Sequence, residues 1–198
     1  MTMDIRPTKT YSTSKDLEVA ERIRAAFPKV LSVEVDSVFN NIPLSSIPPT
    51  PNDIGYIAIN GESLHIPSRI YWQQPDQAVI DKLTEIQFLI LACLYTRSSD
   101  GFIRDRYIEL IVRHPEEWAI PYIIQLLGEY VIEIIYVIEQ NLKCLNKEPF
   151  SKFKKENPEF IRLTREHITS YWNVYRRREI NKLKDDPGYK VMHHLDLW

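Results

Sequence analysis

Cysteine is scarce: the 198 residues hold two, Cys93 and Cys144. Each lies in an apolar or mixed helical pattern with no Cys nearby. That argues against a disulfide framework or zinc cluster and for free, partly buried thiols. An excess of one charge is also missing. A formal net charge of -2 predicts no global attraction to DNA, RNA or anionic lipid. The start, "MTMDIRPTKTYSTSKDLEVAERIR", has no apolar run of the signal-peptide type, which favours a cytoplasmic location. There is no "HExxH", "GxSxG", "GxxxxGK", Cys–His cluster or dinucleotide glycine fingerprint. The histidines His65, His114, His167, His193 and His194 lack ligand spacing, so neither a metal nor a cofactor is expected.

What is present favours helices. A 44% hydrophobic and 26% charged composition fits an ordinary soluble domain, and the length suits one domain or one with a small module attached. The expected class is α+β, predominantly helical: a compact helical bundle with a small N-terminal antiparallel β-hairpin. Residues 1–15 read as a loose segment, 30–74 as a small β module, 76–185 as the bundle core and 186–198 as a tail.

"TSKDLEVAERIRAAF" predicts a helix started by Thr13 and Asp16, with Leu17, Ala20, Ile23 and Phe27 as its apolar stripe. Val33 and Val35 alternate with Glu34 and Asp36 as in a half-buried strand. "NNIPLSSIPPTPND" is a loop by its four prolines. Asn60-Gly61 separates two alternating runs and predicts a tight hairpin; "SRIYW" extends its second arm beyond Pro67.

"DQAVIDKLTEIQFLILACLYT" reads as one helix of about five or six turns. Its inward positions are Ile80, Leu83, Ile86 or Gln87, and Ile90. "FIRDRYIELIVRH" is a shorter second helix, capped by Ser99 or Asp100. A long third covers "PEEWAIPYIIQLLGEYVIEIIYVIEQNLKCL", and "NKEPFSKFKKEN" is a charged connector. The fourth opens with Asn157 as cap and Pro158 at its first position.

The third helix is apolar enough to raise a membrane span, but Gln125, Glu129 and Glu133 recur every fourth residue along one face. That pattern fits the central helix of a soluble bundle, and no membrane insertion is expected. Gly128, costly in mid-helix, predicts a close crossing near Cys93 or Tyr171. Glu129 and Glu133 could share a metal or form an acid–base pair, with Arg97, Arg104, Arg106 and His167 completing a pocket for an anionic substrate. Pairing of these arginines with the glutamates inside the fold is the plainer reading, because no glycine-rich cradle accompanies them.

Positive charge concentrates at 151–184, with ten Lys or Arg against four acidic residues. Tyr171, Trp172 and Tyr175 stand beside Arg176, Arg177 and Arg178. The apolar end, Leu195, Leu197 and Trp198, suggests docking on its own subunit or on a second one.

The preferred expectation is a non-enzymatic protein that binds another protein or a second copy through Tyr171, Trp172, Tyr175, Arg176, Arg177 and Trp198. An enzyme built on the glutamates is the alternative, and requires them to converge on an open cavity. Nucleic-acid binding is the third reading, and requires a continuous strip along Arg162, Arg165, Arg176, Arg177, Lys182 and Lys184.

Overall fold

Helical spacing overrides the short alternation at Val33–Asp36. In the computed structural model, which describes residues 14–42, 47–51 and 56–198, α1 (Ser14–Arg24) is followed by a 3-10 turn and α2 (Ser32–Asn41). Val35, Val38, Phe39 and Ile42 fall on one helical face and are buried, while Val33 is 74% exposed. Four apolar side chains at i, i+3, i+4 and i+7 bury more surface than a four-residue alternation would. The expected strand is therefore a helix. In α1, Val19, Ala20 and Ile23 face the core and Leu17 points to solvent; Thr13 lies outside the described residues. Arg24 Nε donates to Asp36 at 2.6 Å and ties the two helices together.

The chain is a predominantly helical α+β fold with a small antiparallel sheet. The hairpin, β1 (Ile57–Ile59) and β2 (Glu62–Leu64), pairs Ile57 with Leu64 and Ile59 with Glu62. Asn60 and Gly61 have φ of 52° and 80°, the two left-handed residues of a type I′ turn. Such short strands are marginal alone, and helices hold them. His65 N donates to Ala25 O. Asn157 brackets Ala58, accepting from its N–H at 2.7 Å and donating to its carbonyl at 2.8 Å. "SRIYW" does not extend the hairpin. Pro67 offers no N–H to the ladder, and the chain beyond it bridges Thr50 on one side and Ser98 on the other. Replacing Asn157 with Ala is expected to cost about 1–3 kcal/mol, because both Ala58 groups lose their partner. Faster hydrogen exchange at the Ala58 amide checks this.

The helix expected before Thr96 is two. After α3 (Gln77–Ile80), Thr84 opens α4 (Glu85–Tyr95) with a capping box. Thr84 Oγ1 accepts from Gln87 N–H, and Gln87 Oε1 from Thr84 N–H. Gln87 is thus the inward residue, donating to Glu34 at 2.7 Å, and Ile86 is exposed. Asp100 caps α5 (Gly101–Arg113) by accepting from Phe102 N–H. The long third helix is also divided, into α6 (Ile120–Leu127) and α7 (Ile132–Gln140).

The charged connector forms α8 (Lys147–Glu156), because Phe150 and Phe153 are one helical turn apart and both bury. Phe153 packs edge-on against Phe160 of α9 (Pro158–Tyr171) at 5.5 Å. Pro158 does take the first position of α9, but Asn157 makes no side-chain cap, its amide being committed to Ala58. A five-residue π-helical segment, Trp172–Arg176, continues α9. The expected tail is α10 (Pro187–His194) plus a docked end: Leu195 and Leu197 are buried in their own subunit. Arg165 Nε donates to Leu197 O at 2.7 Å. Among the described residues, no helix is long and apolar enough to cross a membrane.

Candidate functional site

The break after α6 decides where the glutamates go. A Cβ on Gly128 would lie 3.4 Å from both Cβ and Nδ1 of His167, so α9 lies in van der Waals reach here with room for a methyl group. Gly128 is not in mid-helix as expected but ends α6, and its neighbour is His167 rather than Cys93 or Tyr171. Residues 128–131 leave the helix, with Val131 at ψ 101°, and the four-residue stripe is interrupted. Glu129 turns inward and is buried, whereas Glu133 is exposed. The two carboxylates do not form the pair proposed for a metal or for acid–base chemistry.

Glu129 meets three arginines. Its Oε1 accepts from Arg97 Nη2 and from Arg69 Nη1, the latter at 2.9 Å. Its Oε2 lies 3.1 Å from Arg104 Nε, close enough for charge attraction but out of hydrogen-bond alignment. Arg104 Nη1 also donates to Ser98 O at 2.8 Å and Ser99 O at 3.3 Å. Backbone geometry assembles this cluster. Arg97 follows the last turn of α4, Arg104 sits one turn into α5, and Arg69 comes from the segment bridged to Ser98. Burial pulls the Arg97 guanidinium down to about 10 against the opposing pull of Glu129. It is still protonated at neutral pH.

Of the residues proposed for an anionic-substrate enzyme, Arg97, Arg104 and Glu129 come together. Arg106, Glu133 and His167 are exposed and stay outside the cluster. Arg69 was not foreseen: it is 60 residues from Glu129, and no spacing links them. Clefts of about 410 Å3 beside Pro49, His65 and Pro67 and about 530 Å3 beside Leu31, Leu110 and Trp118 are lined by neither Glu129 nor its arginines. Among the described residues, neither cleft supplies at Glu129 the open cavity that the enzyme reading requires. Among the described residues, no three His, Cys, Asp or Glu side chains gather as metal ligands would.

A second constellation lies on the surface. Tyr171 is central: its ring lies 6.4 Å from Tyr130, 6.3 Å from His167 and 5.9 Å from Tyr175. Tyr130 is 58% exposed and Tyr175 65%. The helix break frees Tyr130, which an unbroken helix would have placed among its covering apolar residues. Trp172 is pinned by its indole N–H donating to Ile180 O at 2.8 Å, and Arg177 lies over its ring at 5.5 Å.

Arg176 departs from the expected contact set. It is buried, and its Nε donates to Asp186 Oδ2 at 2.7 Å. Trp198 also turns to its own chain, 4.5 Å from Tyr189. The basic strip is interrupted at Arg176, and Arg162 is paired with Glu159 and Glu166. No family model, curated protein or solved structure matches this chain.

Proposed function

We propose that this chain acts by binding another protein, without catalysis, through the face formed by Tyr130, Tyr171, Tyr175, Trp172 and Arg177. The observation that carries this reading is the ring ladder Tyr130–Tyr171–Tyr175, whose outer rings are exposed and whose central ring is half-buried between them. Tyr, Trp and Arg supply much of the binding energy at protein interfaces, and rings already held by neighbours lose little freedom on binding. The π-helical segment adds to the argument, since such distortions frequently occur at functional sites. The docked Leu195 and Leu197 leave the tail out of the contact face; a second copy engaging the ladder is the homodimeric form of the proposal. Cys93 and Cys144 remain free thiols, which suits the reducing cytoplasm proposed as its location.

Tyr175→Ala and Tyr130→Ala are each expected to weaken the partner complex, or self-association, tenfold or more. Both should leave unfolding free energy within about 0.5 kcal/mol, as surface substitutions do. Affinity capture with quantitative binding, alongside analytical ultracentrifugation, reads the two quantities. Loss of salt-sensitive RNA binding by the same variants, with no protein bound, would support the nucleic-acid reading instead.

A further inference from the structure

The arginine cluster is not neutral. Arg69, Arg97 and Arg104 bring three positive charges to the single carboxylate of Glu129. Among the described residues, no other carboxylate pairs with them. Asp100, which begins α5, is exposed and accepts from Phe102 N–H. Arg69 is partly exposed and can be solvated, so one positive charge is left in excess where Arg97 is 0% exposed and Arg104 2%. Arg97 Nε and Nη1 are buried without a hydrogen-bond partner in the protein, while Arg104 Nε faces Glu129 Oε2 at 3.1 Å. A charged donor taken from water without compensation is strongly unfavourable, and an anion is the partner that answers both the charge and the free N–H groups.

We propose that Arg97, Arg104 and Arg69 hold one small monovalent anion, of the chloride class, beside Glu129. Enclosure sets the size. A phosphoryl or carboxylate ligand on a larger body would have to displace the packing around Arg97, whereas a halide is a single atom, only somewhat larger than a water. Arg69, with 28% of its side chain exposed, marks the route in from solvent. The anion serves structure rather than turnover: it joins α4, α5, the 68–70 segment and the α6–α7 break at one point.

The test is thermal unfolding of the full chain in sodium chloride against sodium gluconate at equal ionic strength, gluconate being too bulky to enter. Raising chloride from about 1 to about 300 mM should lift the midpoint by on the order of 5 °C over gluconate. Arg69→Gln, at the exposed side of the cluster, should lose half or more of that increment. Glu129→Gln, with a greater charge excess, should show a steeper chloride dependence than the parent. In crystals grown with sodium bromide, an anomalous peak should lie within about 3.5 Å of Arg97 Nε or Nη1. Equal midpoints in the two salts, or an increment that Arg69→Gln leaves unchanged, would overturn the proposal. So would crystals with no bromide peak at Arg97, which would leave a neutral water as the partner of these donors.

Discussion

Glu129→Gln, measured by urea unfolding in gluconate buffer, is expected to lose about 3–5 kcal/mol of stability. That figure is not the worth of the ion pairs in the native protein. It is the cost of leaving Arg69, Arg97 and Arg104 without their shared carboxylate, in a place where two of the three are almost wholly shielded from water. Gln preserves the shape and can still accept a hydrogen bond, so the loss isolates the charge. Glu133→Gln supplies the contrast. Its parent is exposed, and the change should stay within about 0.5 kcal/mol. A loss below about 1 kcal/mol for Glu129→Gln would mean that solvent reaches the arginines and screens them.

Asp186→Ala is expected to be of similar size, about 3–5 kcal/mol for the broken buried pair and about 1 kcal/mol for the cap. The carboxylate has two tasks. Oδ2 accepts from Arg176 Nε at 2.7 Å, and Oδ1 accepts from Gly188 N–H at 2.9 Å in the first turn of α10. Neither partner residue is exposed to solvent that could substitute. Asp186→Asn separates the tasks: it retains a cap but gives up the charge, and should fall between Ala and the parent. Urea midpoints rank the three proteins. Tryptophan fluorescence follows α10 through Trp198, which packs on Tyr189. An Asn variant as stable as the parent would show that the ion pair contributes nothing beyond its geometry.

The sequence made some elements legible because their signals are local. Asn60-Gly61 dictated its own backbone angles, and Pro158 marked the first turn of α9. Other signals were present but outweighed. Thr84 and Gln87 have the spacing of a capping box, yet the apolar run on both sides read as one helix. The four-residue alternation at Val33–Asp36 obscured the longer 35, 38, 39, 42 periodicity. Gly128 reads as a mid-helix residue in the apolar run, but the chain leaves the helix there. The stripe drawn through Glu129 and Glu133 depended on helical phase continuing past it. The candidate cluster was legible in Arg97, Arg104 and Glu129, which lie at or near element ends. Arg69 was not, because only the bridge from Ile70 to Ser98 brings it in.

The Asn157 bracket around Ala58 also orders events in time. Its two hydrogen bonds span 99 positions of chain. At a synthesis rate of about 5–20 residues per second, Ala58 is made roughly 5–20 s before the residue that fastens it. Through that interval the Ile57–Leu64 ladder lacks this fastening, and rests on its own turn, the earlier α1–α2 pair and the helices made in between. The hairpin is thus an early-synthesised element that is secured late, once the α8–α9 corner is in place.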